Sequence, residues 1–208
     1  CIKKGISFTP VKTYPNGILR SRRAQPESPT LKSRVRGCLL GGAVGDALGA
    51  PVEFMSWEQI KKEFGENGVT GYKEAYGRKG AITDDTQMTL FTAEALIRIE
   101  NGLGEKGLCN SIFVIRNAYY RWLLTQSEQP PIDDNSLKYV NSGWLISNGF
   151  LHRRRAPGTT VLKSLKSSES LTADNDSKGC GGVMRVAPIG LVALDPFRLG
   201  CDAAHITH

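Results

Sequence analysis

Apolar and polar positions follow a helical pattern along most of the chain beyond residue 30. Apolar residues recur at spacings of three and four, as in helices that bury one face. The segments with this pattern are 31–50, 57–65, 84–102, 111–126, 157–167 and 182–194. Gly65 and Gly102 follow the last apolar positions of two segments and predict helix ends there. Alternating strand patterns are nearly absent, so the sequence predicts an all-α, compact multi-helix body without internal repeats.

The first 30 residues differ from this body in both pattern and charge. They contain four prolines and no sustained period, which predicts an extended or disordered arm. Residues 1–36 hold nine lysines and arginines and one acid, Glu27, which gives a net charge of +8. The whole chain has a net charge of +7, so the remaining residues sum to −1. The body is therefore nearly neutral, which argues against a nucleic-acid partner.

Composition limits the class of protein further. The chain has 208 residues, of which 40% are hydrophobic and 23% charged, enough for one sizeable core. It has no uninterrupted apolar run long enough to cross a membrane and no signal-peptide pattern at its start. The five cysteines are scattered without metal-binding spacing, which favours a reducing, cytoplasmic location. Because the chain starts at Cys1 and stops at His208 within a helix-like pattern, we expect it to be a fragment.

The segment Thr83-Asp84-Asp85-Thr86 places four oxygen-bearing side chains at the start of one predicted helix. One interpretation is capping, in which Thr83 or Asp84 is the N-cap and Gln87 completes a capping box. However, a single cap satisfies the free amides, and two adjacent carboxylates repel each other. A hard dication such as Mg²⁺ or Mn²⁺ removes that repulsion by binding these oxygens. By themselves these residues supply only half of a metal site.

Glycines recur at every fourth position in the first predicted helix, at residues 37, 41, 45 and 49. This spacing predicts a smooth ridge that another helix can approach closely. Asp46 lies in the middle of the ridge, where it is either a satisfied core aspartate or a functional one. Pro51 ends the helix and leaves Glu53 on a loop.

Two loops carry other candidate chemistry. Residues 175–190 contain three glycines within four positions, either a flexible turn or one whose amides bind phosphate or ribose. Arg185, which follows, is either part of such a site or a structural ion-pair partner. The basic stretch 152–158, HRRRAPG, is most simply a solvated loop.

Four blocks, taken in order, resemble the ADP-ribosylglycohydrolase family, which includes the dinitrogenase reductase-activating glycohydrolases. The blocks are G-x-x-x-G-D-A-x-G-x-P-x-E at 41–53, T-D-D-T-x-M at 83–88, S-K-G-C-G-G-V-M-R-x-A-P-x-G at 177–190, and A-x-I-T-H at 204–208. The resemblance covers residues from about 34 onwards. It divides the chain into a basic arm, 1–33, and the N-terminal part of a glycohydrolase domain, 34–208.

The resemblance implies an all-α fold around two Mg²⁺ or Mn²⁺ ions that cleaves ADP-ribose from a modified side chain, most simply arginine. Thr83, Asp84 and Asp85 match the first metal-ligand block. Asp85 would orient or deprotonate the attacking water, and Glu53 would gate the substrate. The second metal block, Asp-x-Asp-Thr/Ser, lies beyond the last residue, so we expect the 208 residues alone to be inactive.

The resemblance also implies a substrate-binding set. Asp46 matches the Gly-Asp pair of the family's first helix, and His208 matches a histidine near the ribose. The loop that holds ADP-ribose corresponds to Gly179, Cys180, Gly181, Gly182, Val183, Met184 and Arg185. Cys180 departs from the family pattern, because many members have Asn there.

The basic arm suggests a different class of function. Some bacterial family members resemble this layout and act as immunity proteins against ADP-ribosyltransferase toxins, using an N-terminal extension to plug the toxin. Arg20, Arg22 and Arg23 would occupy an acidic cleft that normally takes an arginine substrate, and residues 1–30 would form the interface. The alternatives are a solvated tail without a partner, and a catalytically dead scaffold that binds no metal.

Overall fold

The fold is mostly helical, as the sequence predicts. A computed structural model describes residues 30–106, 110–167 and 171–208. Its helices are α1 Leu31–Gly49, α2 Trp57–Phe64, α3 Asp84–Lys106, α4 Ser111–Thr125, α5 Asp134–Val140, α6 Thr159–Ser167, α7 Ile189–Val192 and α8 Pro196–His205. The strands β1 Glu74–Ala75 and β2 Arg78–Lys79 form an antiparallel hairpin between α2 and α3. Short 3-10 turns occupy Gly149–Leu151 and Cys180–Gly182.

The pairing of α3 with α4 forms the centre of the core. Met88, Phe91 and Ala95 lie on one face of α3 and are fully buried. Tyr119 and Trp122 on α4 are equally buried and belong to the same cluster. Helices α6, α7 and α8 add apolar residues to this cluster, so the start of α3 is held on a rigid base.

Two of the predicted helices differ from the structure. The predicted stop at Gly102 is wrong, since α3 continues to Lys106. A single glycine inside a helix costs only about 1 kcal/mol, which tertiary packing overrides. The predicted helix 182–194 is also wrong over most of its length, because only α7 is helical there. Pro188, which has no N–H to donate, immediately precedes α7.

Helix α1 lies outside the main core. Ala47 is its only buried residue, and Leu40 and Val44 are exposed. The predicted close approach of another helix to the glycine ridge is not found in the described part of the chain. A Cβ atom added at Gly37, Gly41, Gly45 or Gly49 would meet nothing within 4 Å. The glycines instead leave open space, and two of them line the cleft described below.

No helix among the described residues is long and apolar enough to cross a membrane.

Candidate active site

The four residues Thr83–Thr86, called the helix tip below, comprise the N-cap residue and the first three residues of α3. Thr83 precedes the helix, and its hydroxyl accepts a hydrogen bond from the amide of Asp85 at 3.3 Å. Its carbonyl accepts the amide of Gln87 at 3.2 Å. The capping box with Gln87 is not formed, because the Gln87 side chain turns away to bind the carbonyls of Leu151 and Arg153. Thr83 therefore supplies the cap, and the doublet of carboxylates needs another explanation.

Asp46 on α1 binds both threonines of the helix tip. Its Oδ1 accepts the Thr83 hydroxyl at 2.8 Å, and its Oδ2 accepts the Thr83 amide at 2.8 Å. Oδ2 also accepts the amide of Thr86 at 3.2 Å and the Thr86 hydroxyl at 2.5 Å. Asp46 is thus a satisfied aspartate that also lines the cleft, and its four hydrogen bonds hold the tip against α1.

Three further carboxylates gather near Asp46. Burial raises the pKa of Asp84 to about 7, with the charges of Asp85 and Glu53 adding to the increase against a hydrogen bond from the Gly158 amide. Burial and the charge of Asp46 raise the pKa of Asp85. Burial, then Asp85 and Asp46, raise the pKa of Glu53. The ion pairs found among the described residues involve other carboxylates than these four.

A cleft of about 560 Å³ lies between α1, the helix tip and the glycine-rich turn. Asp46, Glu53, Thr83 and Asp85 line it from one side, and Cys180 and Met184 line it from the other. Asp84 is only 4% exposed and lies behind this lining, where its Oδ2 accepts the amide of Gly158 at 3.1 Å. The structure therefore brings Thr83 and Asp85 of the predicted metal block, and part of the predicted substrate loop, into one concave site, with Asp84 directly behind it.

The glycine-rich turn packs against the end of the chain. A Cβ atom at Gly181 would lie 2.6 Å from Val161 Cγ2 and 2.7 Å from His208 Cε1, so only glycine fits there. At Gly182 the added Cβ would meet the Cβ of Ala204 at 3.1 Å. His208 therefore lies beside the turn, and its contact with ribose stays a prediction.

Other members of the turn have different surroundings. Cys180 and Val183 are exposed, and Gly179 is exposed at the N-cap position of the 3-10 turn. Arg185 is fully buried, with its guanidinium over the Tyr119 ring at 4.2 Å and Nη2 donating to Thr207 Oγ1 at 2.8 Å. Thr207 in turn contacts His208 Nδ1 at 2.8 Å. Arg185 thus stabilises the interior through hydrogen bonds and stacking, and it is in none of the ion pairs found among the described residues.

The prediction that residues 152–158 form a solvated loop is wrong for Arg155, which is 3% exposed. Its guanidinium lies over the Phe150 ring at 4.4 Å, and its backbone carbonyl accepts the amide of Asp84 at 3.1 Å. Arg153 and Arg154 are exposed, as predicted. A buried arginine stacked on an aromatic ring cannot be told from exposed neighbours by local sequence.

Sequence reasoning missed Tyr76, at the tip of the β1–β2 hairpin. Its φ of 50° is unusual for a residue other than glycine. Burial raises the pKa of its phenol, and the charges of Glu53, Asp84 and Asp46 raise it further. Tyr76 is therefore in the electrostatic field of the same carboxylates. The only sequence signal was the Tyr-Gly pair at the centre of a two-residue turn.

Within the described residues, no three side chains of the His, Cys, Asp and Glu types converge as a complete metal site. The assignment of Thr83, Asp84 and Asp85 as metal ligands therefore stays a prediction. The predicted partner-binding residues Arg20, Arg22 and Arg23 lie outside the described residues, so their role stays a prediction.

The comparison with protein families agrees with this site. The family model of ADP-ribosylglycohydrolase matches residues 27–208. An uncharacterized protein of Archaeoglobus fulgidus is 30% identical over 167 residues, which cover 78% of this chain and 44% of that protein. The ADP-ribosyl-[dinitrogen reductase] glycohydrolase of Rhodospirillum rubrum is 44% identical over 69 residues, covering 33% of this chain and 24% of its own length. The uncharacterized protein YegU of Escherichia coli is 38% identical over 73 residues, covering 32% of this chain and 22% of its own length.

These matches span less than half the length of each of the three relatives. The family model nevertheless covers nearly all of the described residues, including every part of the cleft. The chain belongs to the ADP-ribosylglycohydrolase family.

Proposed function

We propose that this protein hydrolyses the N-glycosidic bond between ADP-ribose and an arginine side chain of a modified protein, with the help of divalent metal ions. Family membership supports the cleavage of ADP-ribose from its acceptor in general. The relative from Rhodospirillum rubrum is named for its action on dinitrogen reductase, and that target belongs to that protein. The arginine acceptor and the metal are the specific parts of our proposal.

The observation that carries the proposal is the group of carboxylates at one end of the cleft. Asp84, Asp85 and Glu53 all have raised pKa values, because burial and mutual repulsion disfavour their charged forms. A divalent cation would reverse this, since it favours the charged form of each carboxylate. Hard oxygen donors of this kind suit Mg²⁺ or Mn²⁺ rather than a soft metal.

The donor chemistry of the helix tip therefore fits such ions. Thr83, Asp84 and Asp85 would hold them, and we propose two ions in the complete site. The described residues alone supply a partial set, so further oxygen ligands are needed. When bound, the ions would hold ribose hydroxyls and lower the pKa of a water molecule toward neutrality.

The residues of the chain divide the remaining work. Breaking the bond at C1′ of the ribose develops positive, oxocarbenium character, which nearby carboxylates stabilise. Asp85 lines the cleft, where it can orient the attacking water and take its proton. Glu53 lies on the loop after α1 at the rim and can gate the substrate.

Substrate binding is assigned to the turn opposite the carboxylates. The amides of Gly179, Val183 and Met184 already donate within the turn, so the amides of residues 180–182 are the candidates to hold the ADP-ribose. His208 beside Gly181 would contact the ribose. Asp46 would act through the helix tip, because its four hydrogen bonds occupy both of its oxygens. Cys180 leaves a small, exposed side chain at a position where many family members have Asn.

The test is the double variant Asp84→Ala with Asp85→Ala. We expect it to abolish Mn²⁺ binding to this chain, measured by titration calorimetry. In a version extended to include a second metal block, we expect release of ADP-ribose from an arginine-modified protein to fall at least about a thousandfold. Asp133→Ala with Asp134→Ala, an exposed acidic doublet at the start of α5, is the control. Retained metal binding and activity in the Asp84/Asp85 variant would show that the assignment is wrong.

The charge of the arm favours a second candidate, an immunity protein that blocks a cognate ADP-ribosyltransferase toxin. Residues 1–33 hold seven lysines and arginines against Glu27, a net charge of +6, and such a segment would associate rapidly with an acidic cleft. The toxin should be inhibited by the chain but not by a version without residues 1–30, and inhibition should weaken at high salt. Equal inhibition by both versions would exclude the plug. Under either candidate we propose a bacterial cytoplasmic location.

A further inference from the structure

Residues 151–158, called the arginine loop, contact the helix tip at the backbone amide and at the carboxylate of Asp84. The amide of Asp84 donates to the carbonyl of Arg155 at 3.1 Å, and the amide of Gly158 donates to Asp84 Oδ2 at 3.1 Å. One loop therefore binds both the main chain and the carboxylate of the same residue. This leaves Oδ1 as the Asp84 oxygen that the loop does not use.

The backbone between these two contacts is strained. Ala156 has a φ of 52°, a conformation that costs a residue with a Cβ roughly 1 kcal/mol or more. Pro157 follows it and fixes its own φ. Together they reverse the chain so that the Arg155 carbonyl and the Gly158 amide face the same aspartate. Strain of this kind persists only where the surroundings determine the conformation.

The Arg155 side chain supplies part of those surroundings. Nη1 donates to the carbonyl of Ile82 at 3.3 Å, and Nη2 donates to the carbonyl of Phe150 at 3.2 Å. The guanidinium also stacks on the Phe150 ring at 4.4 Å. Ile82 is next to Thr83, so Arg155 connects the segment that enters the helix tip to the start of the arginine loop.

A second connection comes from within α3. Gln87 is fully buried, and its Nε2 donates to the carbonyl of Arg153 at 3.0 Å and to that of Leu151 at 3.3 Å. Its Oε1 accepts Trp122 Nε1 at 3.2 Å. The arginine loop is thus fastened to the residues before, within and after the carboxylate doublet.

We propose that Arg155 is a positioning residue for the metal site: through the arginine loop it fixes the orientation of the Asp84 carboxylate, whose Oδ2 the loop binds. The inference rests on the proposed metal-dependent function. Residues that orient a metal ligand affect affinity strongly, and their loss typically weakens binding by about 10- to 100-fold. Arg155 would act on the metal only through Asp84.

The neighbouring Arg154 provides a matched control. It lies in the same loop but is exposed, and its guanidinium pairs with Glu128 on the surface at 3.2 Å. Arg155→Met and Arg154→Met remove the same atoms from adjacent positions. Arg155→Lys and Arg154→Lys form a milder pair, because lysine keeps the charge and reaches one carbonyl instead of two. The milder pair carries the comparison if Arg155→Met does not fold.

Two measurements on the 208-residue chain test the proposal. The first is amide hydrogen exchange by NMR without metal, where we expect the Asp84 and Gly158 amides to exchange about tenfold faster in Arg155→Met than in Arg154→Met. The second is the dissociation constant for Mn²⁺, which we expect to rise about tenfold or more in Arg155→Met, less in Arg155→Lys, and under about twofold in the Arg154 variants. Circular dichroism and a cooperative thermal transition establish that each variant is folded.

The outcomes separate the inference from the proposed function. If the parent chain binds Mn²⁺ and the Arg155 variants bind it as the Arg154 variants do, the positioning role is wrong and the metal site survives. If the parent chain binds no Mn²⁺ even in the version extended to include a second metal block, the proposed function fails and this inference fails with it, whatever the amides show. Unchanged exchange at both amides in a folded Arg155 variant would also show that Arg155 does not hold the arginine loop against Asp84.

Discussion

Thr86 donates both its hydroxyl, at 2.5 Å, and its amide, at 3.2 Å, to the same oxygen of Asp46. Thr83 also donates its hydroxyl and its amide to that carboxylate, one to each oxygen. An ionised carboxylate accepts hydrogen bonds at both of its oxygens and donates none, so these contacts explain an aspartate in the middle of α1. The first helix is attached to the helix tip mainly through this group.

We expect Asp46→Asn to lower the free energy of unfolding by about 2 kcal/mol, measured by urea denaturation. The amide nitrogen of Asn cannot accept, so it would face donors on the tip. Asp134→Asn, an exposed change in the first turn of α5, should alter the same quantity by less than about 0.5 kcal/mol. Equal losses in the two variants would mean that the Asp46 contacts contribute little.

The pKa of Asp84 predicts how stability depends on pH without metal. Its folded pKa of about 7 exceeds its usual value of 3.8, so between these values the folded state holds a proton that the unfolded state has lost. This contribution is full below about pH 4 and disappears as the pH rises to about 7. We therefore expect metal-free chain to lose stability over that range, measured by urea denaturation at several pH values.

Asp84→Asn should reduce this slope, since asparagine does not titrate. The substitution should not abolish the slope, because the pKa values of Asp85 and Glu53 are also raised. A variant with the same slope as the parent would show that Asp84 titrates normally.

Gly181→Ala should destabilise the glycine-rich turn. The new Cβ would lie 2.6 Å from Val161 and 2.7 Å from His208, so one of them must move. We expect a loss of about 1–3 kcal/mol in unfolding free energy and a changed NMR signal of the His208 ring. Gly190→Ala on α7 is the control, because its Cβ would meet nothing within 4 Å. A neutral Gly181→Ala would mean that the turn and His208 are not in contact.

Tyr76→Asn should stabilise the hairpin. Tyr76 and Gly77 have φ values of 50° and 76°, which correspond to a two-residue turn that needs positive φ at both positions. Asparagine adopts this conformation more readily than tyrosine, so we expect a gain of about 0.5–1 kcal/mol in unfolding free energy. Glu74→Asn, an exposed change in β1, should not produce a gain. Loss of stability in Tyr76→Asn would indicate that contacts of the ring outweigh the strain.

Local signals predicted some of the fold well. The helix at 57–64 begins at a capping box formed by Ser56 and Gln59 and ends before Gly65, which has a φ of 82°. These signals act over a few residues, so the sequence contains them in readable form. Gly102 failed as a stop because a single glycine costs a helix only about 1 kcal/mol, so this residue alone does not decide where α3 ends.

The candidate site shows the same division. The doublet Asp84-Asp85 was visible because its donors are adjacent, and the helix tip forms where the sequence predicted. Its supports were not visible, since Asp46 lies 37 residues before Thr83 and Gly158 lies 74 residues after Asp84. Arg155 looked like its exposed neighbours, and its burial depends on the fold that places it beside Phe150 and Ile82.

The attachment of α1 has a mechanical consequence. With Ala47 as its only buried residue, α1 has little else to resist a sliding or rolling force. Any molecule that pulls on this helix from outside would pass the load to one carboxylate, and from there to the threonines that flank the acidic doublet.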